Sequence, residues 1–333
     1  MSRKLLASSV AAIALCLGLS GLAFADSATI IQQGGETGAY ASQNQPGANN
    51  GGYPNTAYIS QSGGTNDVAT QQQYRNSWTP VTSYDAAGYG NQSITQSGNT
   101  SASASQTDNS TNATQTIGQT GNTNSSATQT INAPNAWTEY NSQTATQTGN
   151  SGSSIAQTIG LSNTQTSTAS HNTQTATQTG QTGSSITQNV DGDNASHNTQ
   201  NSAQNGGSGN TQYSAIGSGS SDTSSSNQIY QTQDTGSVGN NQSASITGGS
   251  NNNYVNQYQG VGGSGNIQTA SVSGGASLGQ IWQSQGTGVS GGQQSATQNG
   301  GTGNHILQTQ LTSGNSASAT QTGGSGNVAT QHQ

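Results

Sequence analysis

The four histidines are the first residues to consider for chemistry, because imidazole binds metals and transfers protons. His171 and His197 each begin the tetrapeptide His-Asn-Thr-Gln, and the two copies are 26 residues apart. This spacing predicts that the two rings occupy equivalent positions of successive repeats. Two ligands make a poor metal site, since zinc sites in proteins use three or four side chains. The repetition therefore indicates a structural repeat, and we expect neither a metal nor a cofactor.

The remaining candidates for chemistry are weak. Joints such as Gly-Gly-Ser-Gly-Asn (262–266) resemble calcium-binding turns, but Asn replaces the Asp whose charge a hard cation requires. Asp191 and Asp193 share one acidic turn, which is typical of a solvated loop. Ser and Thr are so frequent that a Ser near a His does not indicate a nucleophile and its base. We predict that the protein is not an enzyme.

The composition excludes an ordinary globular domain. Only 26% of the 333 residues are hydrophobic and 4% are charged, while 48 are Gly. Usual soluble domains are about 45–50% apolar and about 25% charged. Disordered chains are typically rich in charge and Pro, whereas this one has four Pro and almost no charge. A polar, nearly uncharged chain rich in amide side chains is typical of cross-β assembly.

The first 25 residues are predicted to be a secretory signal peptide. Arg3 and Lys4 precede an apolar run over 5–22, and Ala23-Phe24-Ala25 matches the small-x-small cleavage signal. The alternative, a membrane anchor, requires about 20 uninterrupted apolar residues, and this run is broken by Ser and Gly. We expect a secreted chain over 26–333 with no membrane span after cleavage.

Cleavage at that site changes the charge and thiol content. It leaves Arg75 as the one basic residue against ten carboxylates, and it removes Cys16, the one cysteine. Disulfides are then impossible. A nucleic-acid partner is not expected either, because phosphate binding needs a cluster of basic residues.

A repeat of 23 to 35 residues runs through the chain after residue 26. Four heptads align in the last third, at 227–233, 253–259, 279–285 and 304–310, with spacings of 26, 26 and 25. Each has Ile or Val at its third place and Gln at its fifth and seventh. Alternation with period two predicts strands, and Gly-rich joints predict tight arcs between them. We count eleven strand–arc–strand units and a lone last strand, with looped insertions near 74–90 and 132–140.

The predicted fold is all-β, a β-solenoid or cross-β stack of about eleven such units, here called rungs. Stacking in register at about 4.8 Å would place identical amides above one another, so that each Gln satisfies its neighbour. The Ala residues of the facing strand would allow close approach of the sheets. The predicted ladder and assembly residues are Ile229, Gln231, Gln233, Val255, Gln257, Gln259, Ile281, Gln283, Gln285, Ile306, Gln308, Gln310, Asn315, Ala317, Ala319, Gln321, Asn327, Ala329 and Gln331.

The repeats resemble those of curlin subunits, the bacterial functional amyloids of curli fibres. The curlin pattern S-x5-Q-x-G-x-x-N-x-A-x3-Q is approached over 61–71, 119–129 and 310–321. The resemblance covers by pattern roughly all of 26–333, but curlin subunits are about half as long, with about five repeats and more charged residues. It implies self-association into an extracellular fibre at the bacterial surface, with an outer-membrane secretion pore and a nucleator subunit as further partners.

Two classes of function follow from these patterns. The first is a secreted structural subunit that polymerises edge to edge into curli-like fibres, supporting biofilm matrix and surface adhesion. The alternative is a monomeric β-solenoid that binds ice through flat Thr rows, such as those of 143–148 and 174–179, or contacts carbohydrate through aromatics. Tyr230, Tyr258 and Trp282 are expected to form one outward column, in which stacking on each other is the simpler role.

Overall fold

The computed structural model describes residues 27–44, 56–73, 90–110, 112–132, 140–160, 170–192, 195–217 and 222–333. Every regular element in these residues is a β-strand. The predicted signal peptide lies outside the described residues. So do the two insertions, apart from their end residues Gly90, Asn132 and Tyr140. These assignments stay predictions.

The chain forms two parallel sheets, and the first contains thirteen strands. Twelve of them form a continuous stack, and the two-residue β16 (Ser237–Val238) pairs only with β13. The strands of this stack are β1 (Ser27–Gln33), β3 (Thr56–Ser62), β5 (Asn91–Ser97), β7 (Thr114–Thr120), β9 (Ser142–Thr148), β11 (Thr173–Thr182), β13 (Thr199–Ser208), β15 (Gln228–Gln233), β18 (Tyr254–Gln259), β20 (Gln280–Gln285), β22 (His305–Gln310) and β24 (Val328–His332).

The second sheet contains eleven strands, all parallel. They are β2 (Tyr40–Asn44), β4 (Val68–Gln73), β6 (Ser103–Asn109), β8 (Ser126–Asn132), β10 (Ser154–Ile159), β12 (Ser185–Val190), β14 (Thr211–Ile216), β17 (Asn241–Ile246), β19 (Ile267–Ser273), β21 (Gln293–Asn299) and β23 (Ser316–Thr322).

Apart from the short β16, successive strands of the chain alternate between the two sheets, so each pair such as β3 and β4 makes one rung of a β-solenoid. The predicted architecture of about eleven rungs is confirmed, and β24 stands alone at the C-terminal edge because no described strand of the second sheet follows it. Each strand pairs residue for residue with the strand one rung away, as in Gln257 with Gln283. The solenoid therefore stacks equivalent side chains directly on one another.

Period-two sequence patterns become period-two burial. In β3 the side chains of Ala57, Ile59 and Gln61 are buried, while those between them are exposed or half-buried. The turns between strands need left-handed backbone, which Gly adopts without steric cost. Gly63 (φ 66°) supplies it after β3, and Asn66 (φ 55°) supplies it before β4. These arcs repeat rung after rung and hold the two sheets face to face.

The apolar core is narrow and divides into two clusters. One lies in the N-terminal rungs and contains Ile59, Ile94 and Ile117 against Ala and Ile of the second sheet. The other is built mainly from the C-terminal rungs and contains Ile229, Val255 and Ile281. Most remaining interior positions are Gln, Asn or Ser. The stack is therefore held by buried amides as much as by apolar contact.

Candidate functional site: the inward amide columns and the open edges

Six columns of inward side chains run along the solenoid, three from each sheet. In the first sheet, column 1 runs from Ala28 to Ala329, column 2 from Ile30 to Gln331, and column 3 from Gln32 to Gln310. In the second sheet, column 4 runs from Ala41 to Ala317, column 5 from Gln43 to Ala319, and column 6 from Gln73 to Gln321.

The structure places the predicted ladder residues of the first sheet in these three columns. Column 1 contains Ile229, Val255, Ile281, Ile306 and Ala329. Column 2 contains Gln231, Gln257, Gln283, Gln308 and Gln331, and column 3 contains Gln233, Gln259, Gln285 and Gln310. In column 3 one link is missing, because the buried Oε1 of Gln285 has no hydrogen-bond partner.

Each amide of column 2 makes two kinds of hydrogen bond. Gln257 Nε2 donates to Gln283 Oε1 at 2.8 Å, and it also donates to the backbone carbonyl of Ser243 on the facing sheet at 3.0 Å. Gln283 repeats the arrangement with Gln308 at 2.8 Å and the carbonyl of Thr269 at 3.0 Å. A buried amide left without partners costs about 1–3 kcal/mol. The column removes that penalty and ties the two sheets together.

The amide bonds of all columns run in one direction. In every Gln–Gln hydrogen bond of the described residues, the Nε2 of one rung donates to the Oε1 of the rung after it. Accordingly, where an amide follows an apolar residue in a column, its buried acceptor has no partner. Gln92 follows Ala57, Gln212 follows Ile186 and Gln298 follows Val272, and the Oε1 of each is unpaired.

The amide and apolar columns exchange places in the seventh rung. Before it, column 2 contains Ile or Ala and column 5 contains Gln; after it, column 2 contains Gln and column 5 contains Ala. The changeover residues are Ser202 in column 2 and Ser214 in column 5. We did not foresee this exchange, although its signal is in the sequence, where Gln-x-Ile-x-Gln (92–96) gives way to Ile-x-Gln-x-Gln (229–233).

Ser202 joins the two amide columns across the interior. Gln188, the last Gln of column 5, donates from Nε2 to Ser202 Oγ at 3.1 Å, and this hydroxyl donates to Gln231 Oε1 at 3.4 Å. One unbroken series, here called the central chain, therefore crosses from the second sheet to the first. Its members are Gln43, Gln71, Gln106, Gln129, Gln157, Gln188, Ser202, Gln231, Gln257, Gln283, Gln308 and Gln331.

The expectation for Ala317 is corrected by the register. Ala319 does have small equivalents, since Ala296 lies beside it in column 5. Ala317, by contrast, follows Gln294 in column 4, where Gln242 and Gln268 also lie. The two sheets therefore approach over one small column, not two, because column 4 is needed for a second amide ladder that donates to the first sheet.

An Asn ladder runs along the arc exits, but it is interrupted before the predicted ladder residue Asn315. The Oδ1 of Asn240 accepts the backbone N–H of Asn266 at 2.9 Å, and Asn266 in turn accepts from Gly292 at 2.9 Å. Gly292 stands between Asn266 and Asn315 and has no side chain to continue the ladder. On the opposite arcs Asn304 Oδ1 accepts the N–H of Asn327 at 3.1 Å.

The expected outward column of Tyr230, Tyr258 and Trp282 is also corrected. Tyr230 pairs with Asn256, which pairs with Trp282, whereas Tyr258 lies in a neighbouring row and donates its hydroxyl to Asp234 at 2.7 Å. Tyr254 completes the aromatic cluster instead, with ring centroids 5.5 Å from Tyr230 and 5.1 Å from Trp282. The aromatics therefore stack on one another diagonally.

His171 and His197 do stack, as their spacing predicts, with ring centroids 4.8 Å apart and planes 3° from parallel. Both adopt left-handed backbone at equivalent arc positions. Across the described ranges there is no group of three or more His, Cys, Asp or Glu side chains placed to hold a metal ion.

Three carboxylates are buried in the described residues, Asp67, Asp108 and Asp222, and the last two differ in their surroundings. Burial raises the pKa of Asp108 to about 6, although the hydroxyl and N–H of Ser110 both donate to it. Burial also acts to raise the pKa of Asp222, but hydrogen bonds from Ser224, Gly249 and Gly248 outweigh it and lower the pKa. The pKa of Asp108 is thus raised above its usual value, whereas that of Asp222 is lowered.

The stack ends in open sheet edges. Among the described residues, β1 and β2 pair only with the second rung, while β23 and β24 pair only with the strands before them. None of these four strands contains Pro, Lys, Arg, Asp or Glu. Such residues are the usual means by which proteins protect edges from pairing.

Known proteins add no further guide to this site. No protein-family model matches the chain, and no curated protein is significantly similar to it. Over the residues that the structure describes, we find no helix with the length and apolarity to span a bilayer.

Proposed function

We propose that the chain is a secreted structural subunit that polymerises edge to edge into extracellular, curli-like amyloid fibres at the bacterial surface. The observation that carries the proposal is the combination of open, unprotected edges with amide columns that end at those edges. Gln331 at one edge and Gln43 at the other belong to the same central chain. An added copy would continue the central chain of hydrogen bonds, and no amide at the contact would be buried without a partner.

The energetics favour addition at these edges. A parallel in-register strand satisfies the backbone N–H and C=O groups of the edge, and stacked Gln side chains add hydrogen bonds on the interior. The inward side chains at each edge are uncharged, and Ala28, Ala41 and Ala329 among them are small. The curlin-like repeats support the same conclusion, with export through an outer-membrane pore, a nucleator subunit as partner, and biofilm matrix and adhesion as the roles.

The test is fibre formation by the purified exported chain. We expect fibres in electron micrographs and a meridional reflection near 4.7 Å, the spacing of strands in cross-β structures. Ala329→Lys places an ammonium on the interior of the terminal edge, and we expect it to slow elongation at least about tenfold, because an unpaired buried charge costs several kcal/mol. The control is Thr330→Lys, one residue away on the outward face, where the ammonium stays in water, so elongation should slow much less. A chain that stays monomeric after prolonged incubation would disprove the proposal.

A second candidate rests on the outward face of the first sheet. Thr144 and Thr148 of β9 lie beside Thr175 and Thr179 of β11, so hydroxyls repeat in two directions. Flat Thr arrays of this kind are used by ice-binding solenoids. An ice-recrystallisation assay on the monomer distinguishes the candidates, because inhibition without fibre growth would favour ice binding.

A further inference from the structure

In the described residues, the stack contains an odd number of strands. Twelve strands of the first sheet and eleven of the second alternate along the chain, beginning with β1 and ending with β24, both in the first sheet. At the C-terminal edge, the next position along the coil is therefore in the second sheet, above β23. A copy that continued the coil would place its own first strand there.

Continuing the coil in this way requires a rotation of the added copy. Its β1, a strand of the first sheet, would lie on β23 of the second sheet, and its β2 would lie on β24. We propose that a second copy of the chain docks on the β23–β24 edge after a half-turn about the solenoid axis, giving a fibre with two-fold screw symmetry. This inference rests on the proposed function and specifies its interface.

The inward residues of β1 match those of β23. Aligned as neighbouring rungs are, β1 Ser27–Gln33 and β23 Ser316–Thr322 are both seven residues long. Ala28 falls on Ala317 and Gln32 on Gln321. Ile30 falls on Ala319, which extends an apolar column. In each column an apolar residue thus meets an apolar residue, and an amide meets an amide.

The second pair of strands matches as well. In β2 and β24 the inward residues follow the same Ala-x-Gln order, so Ala41 falls on Ala329 and Gln43 on Gln331. Gln331 is the last member of the central chain and Gln43 is the first. The half-turn therefore continues the central chain from one copy into the next without a break.

Addition without rotation would neither match the inward side chains nor continue the coil. It would place β1 on β24, so that Ile30 would cover Gln331 and leave the amide of Gln331 without its acceptor. It would also leave one position of the second sheet empty beside β24, because the two sheets differ by one strand. An unsatisfied buried amide costs about 1–3 kcal/mol, so the half-turn is favoured.

The exchange of amide and apolar columns at Ser202 and Ser214 makes the two ends of the solenoid match after the half-turn. The first sheet begins with Ala, Ile, Gln in columns 1 to 3, and the second sheet ends with Ala, Ala, Gln in columns 4 to 6. Without the exchange, the end of each sheet would repeat its own beginning and would match only an unrotated copy. The changeover thus fits each subunit to a rotated neighbour.

The direction of the amide bonds fixes the polarity of the contact. At the C-terminal edge Gln331 presents an Nε2, and at the N-terminal edge Gln43 presents an Oε1, since each bond runs from Nε2 to the Oε1 of the following rung. Donors at one edge therefore meet acceptors at the other, and the copies add head to tail.

The arcs between strands also match in this arrangement. Thr302 pairs with Ser325 at the C-terminal end, and Thr37 pairs with Thr65 at the N-terminal end. Thr37 of the added copy would therefore follow Ser325.

Paired cysteine variants of the exported chain test the rotation, since it retains no cysteine after the predicted cleavage. Thr29, Ser318 and Thr330 are all outward and exposed. The half-turn places Thr29 of one copy beside Ser318 of the other, about 4.8 Å apart, which a disulfide can span. Oxidised fibres of T29C/S318C should give a ladder of covalent multimers. The matched control T29C/T330C should give no such ladder, because the half-turn does not place Thr29 beside Thr330.

The outcomes separate this inference from the proposed function. The half-turn is overturned if T29C/T330C fibres cross-link, or if fibres of neither variant cross-link. Either result leaves the proposed fibre formation standing. A wild-type chain that never forms fibres overturns both. If the variants fail to assemble, cryo-electron microscopy of wild-type fibres decides: we expect a rotation near 180° between copies, apart from the twist of the sheets, and a rise of about 55 Å, from eleven and a half rungs at about 4.8 Å. A rotation near 0° would overturn the inference.

Discussion

The side-chain amide of Gln188 donates to the hydroxyl of Ser202 on the facing sheet at 3.1 Å. In every earlier rung of column 5, the same amide position donates to the next Gln of its own sheet, as Gln157 does to Gln188 at 2.8 Å. Ser202 is short enough to leave room for an amide from across the interior, and it can both accept and donate. This single contact carries the series of hydrogen bonds from one sheet to the other.

Replacing Ser202 with Ala should therefore weaken the solenoid more than its size suggests. The change removes the hydroxyl, so that Gln188 Nε2 loses this acceptor and Gln231 Oε1 loses this donor. We expect a loss of about 1–3 kcal/mol in the free energy of unfolding, measured by denaturant titration. Ser214→Ala is the matched control: its buried Oγ has no hydrogen-bond partner, so the change should be neutral or stabilising. Equal losses in both variants would contradict the role of Ser202.

Removing one amide from column 2 should slow fibre growth. Gln283→Ala leaves Gln257 Nε2 without its acceptor and Gln308 Oε1 without its donor. At about 1–3 kcal/mol for an unpaired buried group, we expect lower stability and a longer lag in thioflavin-monitored assembly. The adjacent outward residue provides the control, because Ser284→Ala lies in the same strand but on the other face. Similar effects from the two variants would count against the register.

Much of this architecture is predictable from the sequence, because the determinants are local. The heptads that contain Gln231, Gln257 and Gln283 give the strand, its inward face and its partner one rung away. What the sequence does not give directly is contact between the sheets. That Gln188 reaches Ser202 depends on which strands of the two sheets face each other, and Gly-rich arcs of varied length obscure this. That Ala317 follows Gln294 depends instead on the register within the second sheet. The aromatic cluster was misplaced for a simpler reason, since Tyr258 is two positions from the row of Tyr230.

The arc before β20 contains a residue whose backbone is strained. Leu278 has a φ of 55° and is exposed, and a non-Gly residue in this left-handed region costs roughly 1 kcal/mol. At the equivalent position of the next rung the chain uses Gly303 (φ 64°). Leu278→Gly should therefore raise the free energy of unfolding by about 1 kcal/mol. Leu307→Gly, an exposed outward position within β22, is the control and should lower it. A loss of stability in both variants would contradict the strain.

The stability of the solenoid should fall as the pH rises through the range in which Asp108 titrates. Burial raises the pKa of Asp108 from its usual 3.8 to about 6, so between these values the folded state holds a proton that the unfolded state has lost. Stability falls with rising pH wherever the folded state binds more protons. The loss attributable to Asp108 begins near pH 4 and is complete above about pH 6, at on the order of 3 kcal/mol.

Asp108→Asn tests this dependence, because the variant retains an acceptor for Ser110 but does not titrate. We expect the difference in unfolding free energy between the variant and the wild type to grow across this range, as measured by denaturant titration at several pH values. The difference profile removes the contributions of the other carboxylates, including Asp222, whose lowered pKa acts in the opposite sense. A difference that is constant with pH would show that Asp108 ionises freely in the folded chain.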